Sequence, residues 1–181
     1  MCSKIGKSPM KKFETIDISG DVGIRAYGKT IEEVFVNAAF GMYSLITGIE
    51  GIEATQKVVV ETKSDSLEGL LVSYLNELIF QFDAYGFVGK TIMITEITPT
   101  LSPSENPPEA ETLPPRGVGM GDGEAVQLKN GEFYLLKAKL SGEEFDIERH
   151  ERKLLIKAAT YHKVRIEKVR DVWEIDVIFD I

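Results

Sequence analysis

The sequence holds few of the residues that form covalent cross-links or thiolate metal sites. Its 181 residues include one cysteine, Cys2, and two histidines, His150 and His162. A single cysteine excludes an intramolecular disulfide and a zinc site built from several thiolates. A zinc site would have to combine both histidines with carboxylates, so we interpret each histidine as an ordinary hydrogen-bonded residue of its segment.

Long apolar runs and an excess of positive charge are missing too. No stretch approaches the roughly 18 apolar residues of a membrane-spanning helix, and the basic start before Phe13 has no apolar core of a signal peptide. The net charge is -8, whereas binding to an RNA backbone depends on clustered Lys and Arg. We therefore expect a cytoplasmic protein with no membrane contact that meets RNA only through a partner.

Proline is nearly absent outside one segment. Residues 98–124 hold six of the seven prolines together with five acids and one arginine. Such a composition buries too little apolar surface to order itself, so we predict a mobile acidic loop over 98–124 and a flexible start over 1–11. The glycine-rich "GVGMGDG" in this loop lacks the Gly-Lys-Ser/Thr ending of a phosphate-binding loop, and the chain has no Gly-x-Ser-x-Gly motif.

The remaining sequence predicts one α+β domain. Two segments have helical apolar stripes, one beginning after Thr30 and the other near Asp65 or Ser66. Six to eight β-prone runs are joined mostly by short turns, including a hairpin around Asn130-Gly131. We predict a single domain over 1–181, in which two amphipathic helices pack on a largely antiparallel sheet and the Pro/Gly-rich loop is an insertion.

Two acids occupy the ends of apolar β-prone runs. Asp21 opens the alternating run "DVGIRAY", and Asp180 closes "VWEIDVIFDI", where Ile181 adds an α-carboxylate. Carboxylates that meet at strand ends repel one another unless a cation lies between them, and oxygen ligands favour Ca²⁺ or Mg²⁺. The alternative is that both are separate solvated acids, and composition and spacing leave the two interpretations open.

Alternation in the run "IKAATYHKVRI" places Lys157 and His162 on opposite faces of a predicted strand. Lys157 falls on one face with Tyr161, so it cannot line the same pocket as His162 unless a bulge intervenes. His162 falls on the other face with the apolar side chains of Ile156, Ala158, Val164 and Ile166.

Taken together, several motifs resemble the archease family. They are "GDVGIRAYGKTIEEVFVNAAFGMYSLI", "LEGLLVSYLNELIFQFD", "GEEFDIERH", "IKAATYH" and the terminal "FDI". Their order and spacing match over nearly the whole chain, apart from the first ten or so residues and the Pro-rich loop.

The resemblance implies a protein cofactor, not an enzyme, that assists the tRNA-splicing RNA ligase RtcB. That ligase uses GTP and Mn²⁺ to join 2′,3′-cyclic phosphate and 5′-hydroxyl RNA ends. Archeases promote its guanylylation and its multiple turnover, and they bind a divalent cation at an acidic site. The family's functional residues fall on Asp21, Lys157 and Asp180, and we extend the set to Glu143 and His162. The implied metal ligands are Asp21, Asp180 and Ile181, with Ca²⁺ as the expected ion and Mg²⁺ or Mn²⁺ as alternatives.

The chain departs from the family in two respects. The histidine that usually precedes the motif aspartate by three residues is Ile18 here, and the loop over 98–124 exceeds the usual connection. Two other functions stay open: a metal-dependent hydrolase that uses Asp21 and Asp180 around a cation-bound water, and a general chaperone or adaptor in which the acidic site only stabilises the fold.

Overall fold

The computed structural model describes residues 11–18, 20–101 and 132–181. Residues 100 and 101 are described by their backbone alone. This part of the chain contains two α-helices and seven strands, which confirms the predicted α+β class. In chain order the elements are β1 (Phe13–Ile18), β2 (Asp21–Gly28), α1 (Ile31–Ile46), a short 3₁₀ helix (Ile49–Gly51), β3 (Gln56–Ser64), α2 (Leu67–Tyr85), β4 (Phe87–Leu101), β5 (Glu132–Glu144), β6 (Ala158–Val169) and β7 (Val172–Asp180).

The strands form two separate sheets. One has four strands in the order β1-β2-β7-β6, and the other has three in the order β3-β5-β4. Neighbouring strands are antiparallel in both sheets. Each helix contacts strands of both sheets, so the apolar residues of all these elements form one core.

Both helices begin at the caps that the sequence predicts. The Thr30 hydroxyl accepts a hydrogen bond of 3.2 Å from the Glu33 N–H, and the Ser66 hydroxyl accepts one of 3.1 Å from the Gly69 N–H. Each cap satisfies an N–H group that has no partner inside the helix. Helix α2 ends at Gly86, whose φ of 68° lies in the left-handed region that favours glycine.

Strand β4 extends further than predicted, which corrects the start of the predicted loop. Residues 98–101 continue the ladder, with Thr98 opposite Leu135 and Leu101 opposite Glu132. The buried side chain of Ile97 holds the strand against the core up to this point, and β4 is an edge strand, where a proline such as Pro99 is tolerated. The rest of that loop (102–124), the Asn130-Gly131 turn and the first ten residues lie outside the described residues.

None of the helices in the described ranges is long and apolar enough to cross a membrane.

Candidate functional site

The register of β2 and β7 brings Asp21 and Asp180 to the same end of the four-stranded sheet. Val22 lies opposite Phe179, so the residues just beyond this pair are Asp21 on one strand and Asp180 on the other. The side chains of Val22 and Phe179 are buried. Because side chains alternate along a strand, the two aspartates lie on the opposite face of the sheet, and both are exposed.

Lys157 joins this end of the sheet from the position just before β6. Ala158, the first residue of β6, lies opposite Asp180, and the Lys157 N–H donates a hydrogen bond of 2.8 Å to the Asp180 carbonyl. The Lys157 ammonium donates another, of 2.9 Å, to the main-chain oxygen of Ile181. The structure therefore brings four of the predicted site residues together, and we call Asp21, Lys157, Asp180 and Ile181 the acidic end.

The segment between β5 and β6 approaches the acidic end along helix α1. The Thr47 hydroxyl donates a hydrogen bond of 2.8 Å to the Glu151 carbonyl, and the Lys153 N–H donates one of 2.9 Å to the Ile46 carbonyl. The last carbonyl groups of a helix have no partner inside it. This segment supplies partners to α1 while it leads the chain toward Lys157.

The acidic end offers oxygen ligands only. Asp21 and Asp180 contribute carboxylates and Ile181 a main-chain oxygen, a donor set that fits a hard cation such as Ca²⁺ with water in the remaining positions. In the part of the chain that the structure describes, no three or more His, Cys, Asp or Glu residues form a group that could hold a metal ion. A cation here would therefore depend on two side chains and on the position of the neighbouring Lys157 ammonium.

Glu143 lies away from the acidic end, on the three-stranded sheet. Its buried carboxylate accepts hydrogen bonds of 2.7 Å from the Glu53 N–H and 2.9 Å from the Arg149 guanidinium. The Glu53 N–H, followed by Arg149, holds the pKa of the Glu143 carboxyl below its usual value despite burial. Glu143 thus binds two neighbouring segments to the end of β5.

His150, and not His162, is the histidine beside Glu143. Its Nε2 lies 3.2 Å from a Glu143 carboxylate oxygen, although without the direction of a regular hydrogen bond. Its Nδ1 accepts a hydrogen bond of 3.0 Å from the Asp146 N–H. The side chains of Glu143 and His150 are both buried. The two residues therefore close the turn "GEEFDIERH" against the end of β5.

His162 is exposed, contrary to the alternation that placed it on an apolar face. Thr160 lies opposite Ile178, and the register resumes only at Arg165 opposite Asp176. Four residues of β6 thus face one residue of β7, and Lys163 has a φ of 55°. This bulge turns the His162 side chain toward solvent. His162 follows Lys157 by five residues in the sequence.

Ile18 stands directly beside Asp21 in the sheet. The two are paired across β1 and β2, and the half-buried Ile18 side chain covers Gly23, the next residue on the Asp21 face. The position at which the family resemblance implies a histidine is therefore adjacent to Asp21, and in this chain it holds an aliphatic group.

An ion-pair network missed by the sequence reasoning lies further along the same face. Arg25 donates hydrogen bonds of 2.6 Å and 2.8 Å to the two carboxylate oxygens of Asp176, and Arg165 donates one of 3.1 Å. Burial alone would raise the pKa of Asp176, but the two guanidinium groups outweigh burial and hold that pKa below its usual value. Alternation along "GIRAY" and "WEIDV" places Arg25 and Asp176 outside the core, but only the register pairs them.

Comparisons with known proteins give a consistent result. A sequence model of the archease protein family matches residues 13–181. The chain is 31% identical over 173 residues to protein archease of Pyrococcus furiosus, covering 95% of this chain and 100% of the relative. It is 32% identical over 162 residues to protein archease of Thermococcus gammatolerans, covering 90% and 92%.

Two solved structures are similar as well. The solution structure of protein 1598 of Methanobacterium thermoautotrophicum matches with a TM-score of 0.64 at 27% identity, covering 95% of this chain and 100% of that one. The crystal structure of a Thermotoga maritima archease, described as a "possible chaperone", matches with a TM-score of 0.51 over 96% and 99%. Its identity of 16% shows a shared fold alone.

Proposed function

The chain belongs to the archease family, and we propose that it is a non-enzymatic activator of the tRNA-splicing RNA ligase RtcB. In this role it promotes guanylylation of the ligase and its repeated turnover. The family resemblance supplies this function, and one structural observation carries it for this chain: Asp21, Lys157 and Asp180 lie at the same end of one sheet although they come from β2, the segment before β6 and β7.

The openness of the acidic end favours action on another protein. Asp21, Lys157 and Asp180 are all exposed at the end of a sheet. An open surface pocket of about 270 Å³ lies elsewhere, lined by Lys12, Phe13, Phe40, Ile49, Glu50 and Lys90. Small-molecule sites usually enclose their ligand, whereas an exposed end can reach into a cleft of a partner.

A ligase that binds RNA presents positive charge, and the net charge of -8 complements it. RNA would then be bound by the ligase alone.

A divalent cation would be held by Asp21, Asp180 and the Ile181 oxygen, and Ca²⁺ is the ion that we expect. When bound, it would supply positive charge that offsets the repulsion between the two carboxylates. The chain's own contribution is to present these oxygens and the Lys157 ammonium in one fixed arrangement. Since the Lys157 N–H and Nζ both bind the β7 end, the lysine is oriented before any partner arrives.

A general chaperone, which the sequence left open, is the second candidate; the Thermotoga maritima archease that shares the fold is described as a "possible chaperone". A chaperone of this kind would protect unrelated proteins and would keep its effect after loss of one surface carboxylate. The hydrolase alternative requires turnover of a phosphate ester by the protein alone, through a cation-bound water. These three functions differ in what they need from Asp21 and from the ligase.

A ligation assay distinguishes them. Purified protein at substoichiometric concentration is added to RtcB, GTP, Mn²⁺ and RNA with 2′,3′-cyclic phosphate and 5′-hydroxyl ends. We expect the protein to raise the yield over many turnovers, Asp21→Ala to abolish the effect, and Asp171→Ala to preserve it. Asp171 is a matched control because it is exposed in the β6–β7 turn, at the other end of β7. Stimulation by Asp21→Ala would favour the chaperone, and hydrolysis without the ligase would favour the enzyme.

A further inference from the structure

One side chain of helix α2 takes the place of a missing strand beside β6. Strand β6 is the last strand of its sheet among the described residues, so one side of its backbone has no neighbour among the seven strands. Asn76 Nδ2 donates a hydrogen bond of 3.1 Å to the Ala159 carbonyl. Asn76 Oδ1 accepts one of 2.8 Å from the Ala159 N–H. A single carboxamide therefore satisfies both polar groups of one edge residue, as a paired strand would.

The stretch that Asn76 holds is short and isolated. Before the bulge, β6 pairs with β7 only through Ala158, Ala159 and Thr160. The chain that precedes it, residues 145–157, contains turns and an isolated bridge but no helix or strand longer than one residue. Three paired residues between irregular segments are a weak ladder, because the backbone entropy of ordering them is offset by few hydrogen bonds. Attachment to α2 through Ala159 adds two.

This stretch also carries Lys157. Lys157 lies two residues before Ala159, and its N–H and Nζ bind Asp180 and Ile181. If Ala158 to Thr160 separated from β7, Lys157 would lose its fixed position beside Asp180. The contacts of Asn76 with Ala159 thus bear directly on the geometry of the acidic end, although the asparagine itself lies on another element.

We propose that Asn76 is a positioning residue, which holds the start of β6 against β7 and thereby keeps Lys157 beside Asp180 and Ile181. The inference rests on the proposed function in one respect only, namely that Lys157 and Asp180 act on the ligase. The structural part, that Asn76 controls the order of Lys157, is measurable without any partner.

The chemistry of the amide explains why asparagine stands here. It presents one donor and one acceptor side by side, which match the N–H and C=O of one residue. Aspartate has nearly the same shape but only acceptors when ionised, so its second oxygen would face the Ala159 carbonyl without a proton between them. Asn76→Asp therefore removes the donor and introduces a repulsive contact, while the volume stays the same.

Asn37 provides a matched control. It lies on α1, and its Nδ2 donates a hydrogen bond of 2.7 Å to the Tyr27 carbonyl of β2. Tyr27 is near the end of β2 that is remote from Asp21. Asn37→Asp thus removes the same kind of helix-to-strand hydrogen bond at the other end of the same sheet.

The experiment measures amide hydrogen exchange and ligase stimulation for the wild-type protein, Asn76→Asp and Asn37→Asp. We expect exchange at Lys157 and Ala159 to be about tenfold faster or more in Asn76→Asp than in Asn37→Asp. We also expect stimulation of RtcB to fall about tenfold in Asn76→Asp, the scale of the effect that groups orienting a site commonly have. If either aspartate variant folds poorly, Asn76→Ala and Asn37→Ala allow the same comparison without repulsion.

Equal exchange at Lys157 in the two variants would overturn the proposal. Faster exchange with unchanged stimulation would overturn the link to the ligase, because Lys157 would then not need a fixed position to act. The wild-type protein could also fail to stimulate the ligase while exchange at Lys157 is faster in Asn76→Asp than in Asn37→Asp. That result would reject the ligase function and support the structural part of the proposal.

Discussion

The Lys157 ammonium donates a hydrogen bond of 2.9 Å to the main-chain oxygen of Ile181. The same oxygen is one of the ligands that the family resemblance implies for a divalent cation. A positive side chain that binds a metal ligand opposes a cation at that position, because two like charges repel. Lys157 is therefore expected to weaken cation binding at the acidic end even if it is required for the effect on the ligase.

The first prediction follows from this opposition. Lys157→Met removes the charge and keeps most of the side-chain length, so we expect Ca²⁺ to bind about two- to fivefold more tightly, a modest gain because the group is exposed and screened. Stimulation of RtcB is expected to be lost. Calorimetric titration with Ca²⁺ and the ligation assay measure the two properties separately. Weaker Ca²⁺ binding in this variant would show that Lys157 supports the cation site.

The second prediction concerns the two aspartates. Asp21→Ala and Asp180→Ala should each abolish stimulation and sharply reduce cation affinity, since hard cations depend on charged oxygens. Both residues are exposed at strand ends, so the unfolding midpoint should shift by no more than about 2 °C. Thermal unfolding and the ligation assay check both parts, with Asp171→Ala as control. Full stimulation by either folded variant would contradict the assignment of the acidic end.

The third prediction separates Glu143 from the acidic end. Because the Glu53 N–H and Arg149 lower the pKa of Glu143 below its unfolded value, this carboxylate stabilises the fold above that unfolded pKa. The contribution is lost as the pH falls through the folded pKa. Glu143→Gln should therefore be less stable than wild type at neutral pH, and the difference should shrink in acid. Denaturation midpoints between about pH 3 and pH 7 test this.

Stimulation by the folded Glu143→Gln protein tests the wider site. If Glu143 only fastens the turn that ends at His150, the variant should stimulate the ligase normally at a temperature where it remains folded. A loss of stimulation without a loss of folded protein would instead place Glu143 among the functional residues, as our extension of the family's set predicts.

The fourth prediction addresses the network of Asp176. Asp176→Asn removes a charge held by Arg25 and Arg165, and we expect a loss of about 2 kcal/mol of unfolding free energy, the scale of charge-assisted hydrogen bonds. Since the pKa of Asp176 is lowered, this loss should be complete near neutral pH and should diminish in acid. Urea denaturation at two pH values measures it. Glu167→Gln, which changes a more accessible partner of Arg165, should have a smaller effect.

The helices could be predicted closely from sequence because their limits are set locally. The Thr30 and Ser66 caps each bind an N–H three residues ahead, and Gly86 takes a left-handed conformation that other residues avoid. These interactions depend on neighbouring residues only. The loop boundary was less predictable, since the proline-rich composition after residue 98 concealed the buried Ile97 and the pairing with β5 that carry β4 to Leu101.

Local sequence patterns could not predict how the strands divide between two sheets. Each β-prone run can pair with any other, and the pairs that form depend on which edges meet across the common core. The bulge in β6 is a further case, because alternation assumes one residue opposite one residue, whereas four residues here face one. His162 is therefore exposed to solvent.

By itself the sequence determined which groups the strand ends could offer: the carboxylates of Asp21 and Asp180 follow directly from their places in two apolar runs. Only the tertiary structure decided what surrounds them, because the pairing of β2, β7 and β6 joins residues from both ends of the chain. That pairing set Lys157 against Ile181 and left Glu143 on the other sheet, whereas the neighbouring pair of β1 and β2 placed Ile18 beside Asp21. In a regular strand, local spacing decides on which face a side chain lies, whereas its neighbours depend on long-range hydrogen bonds between strands.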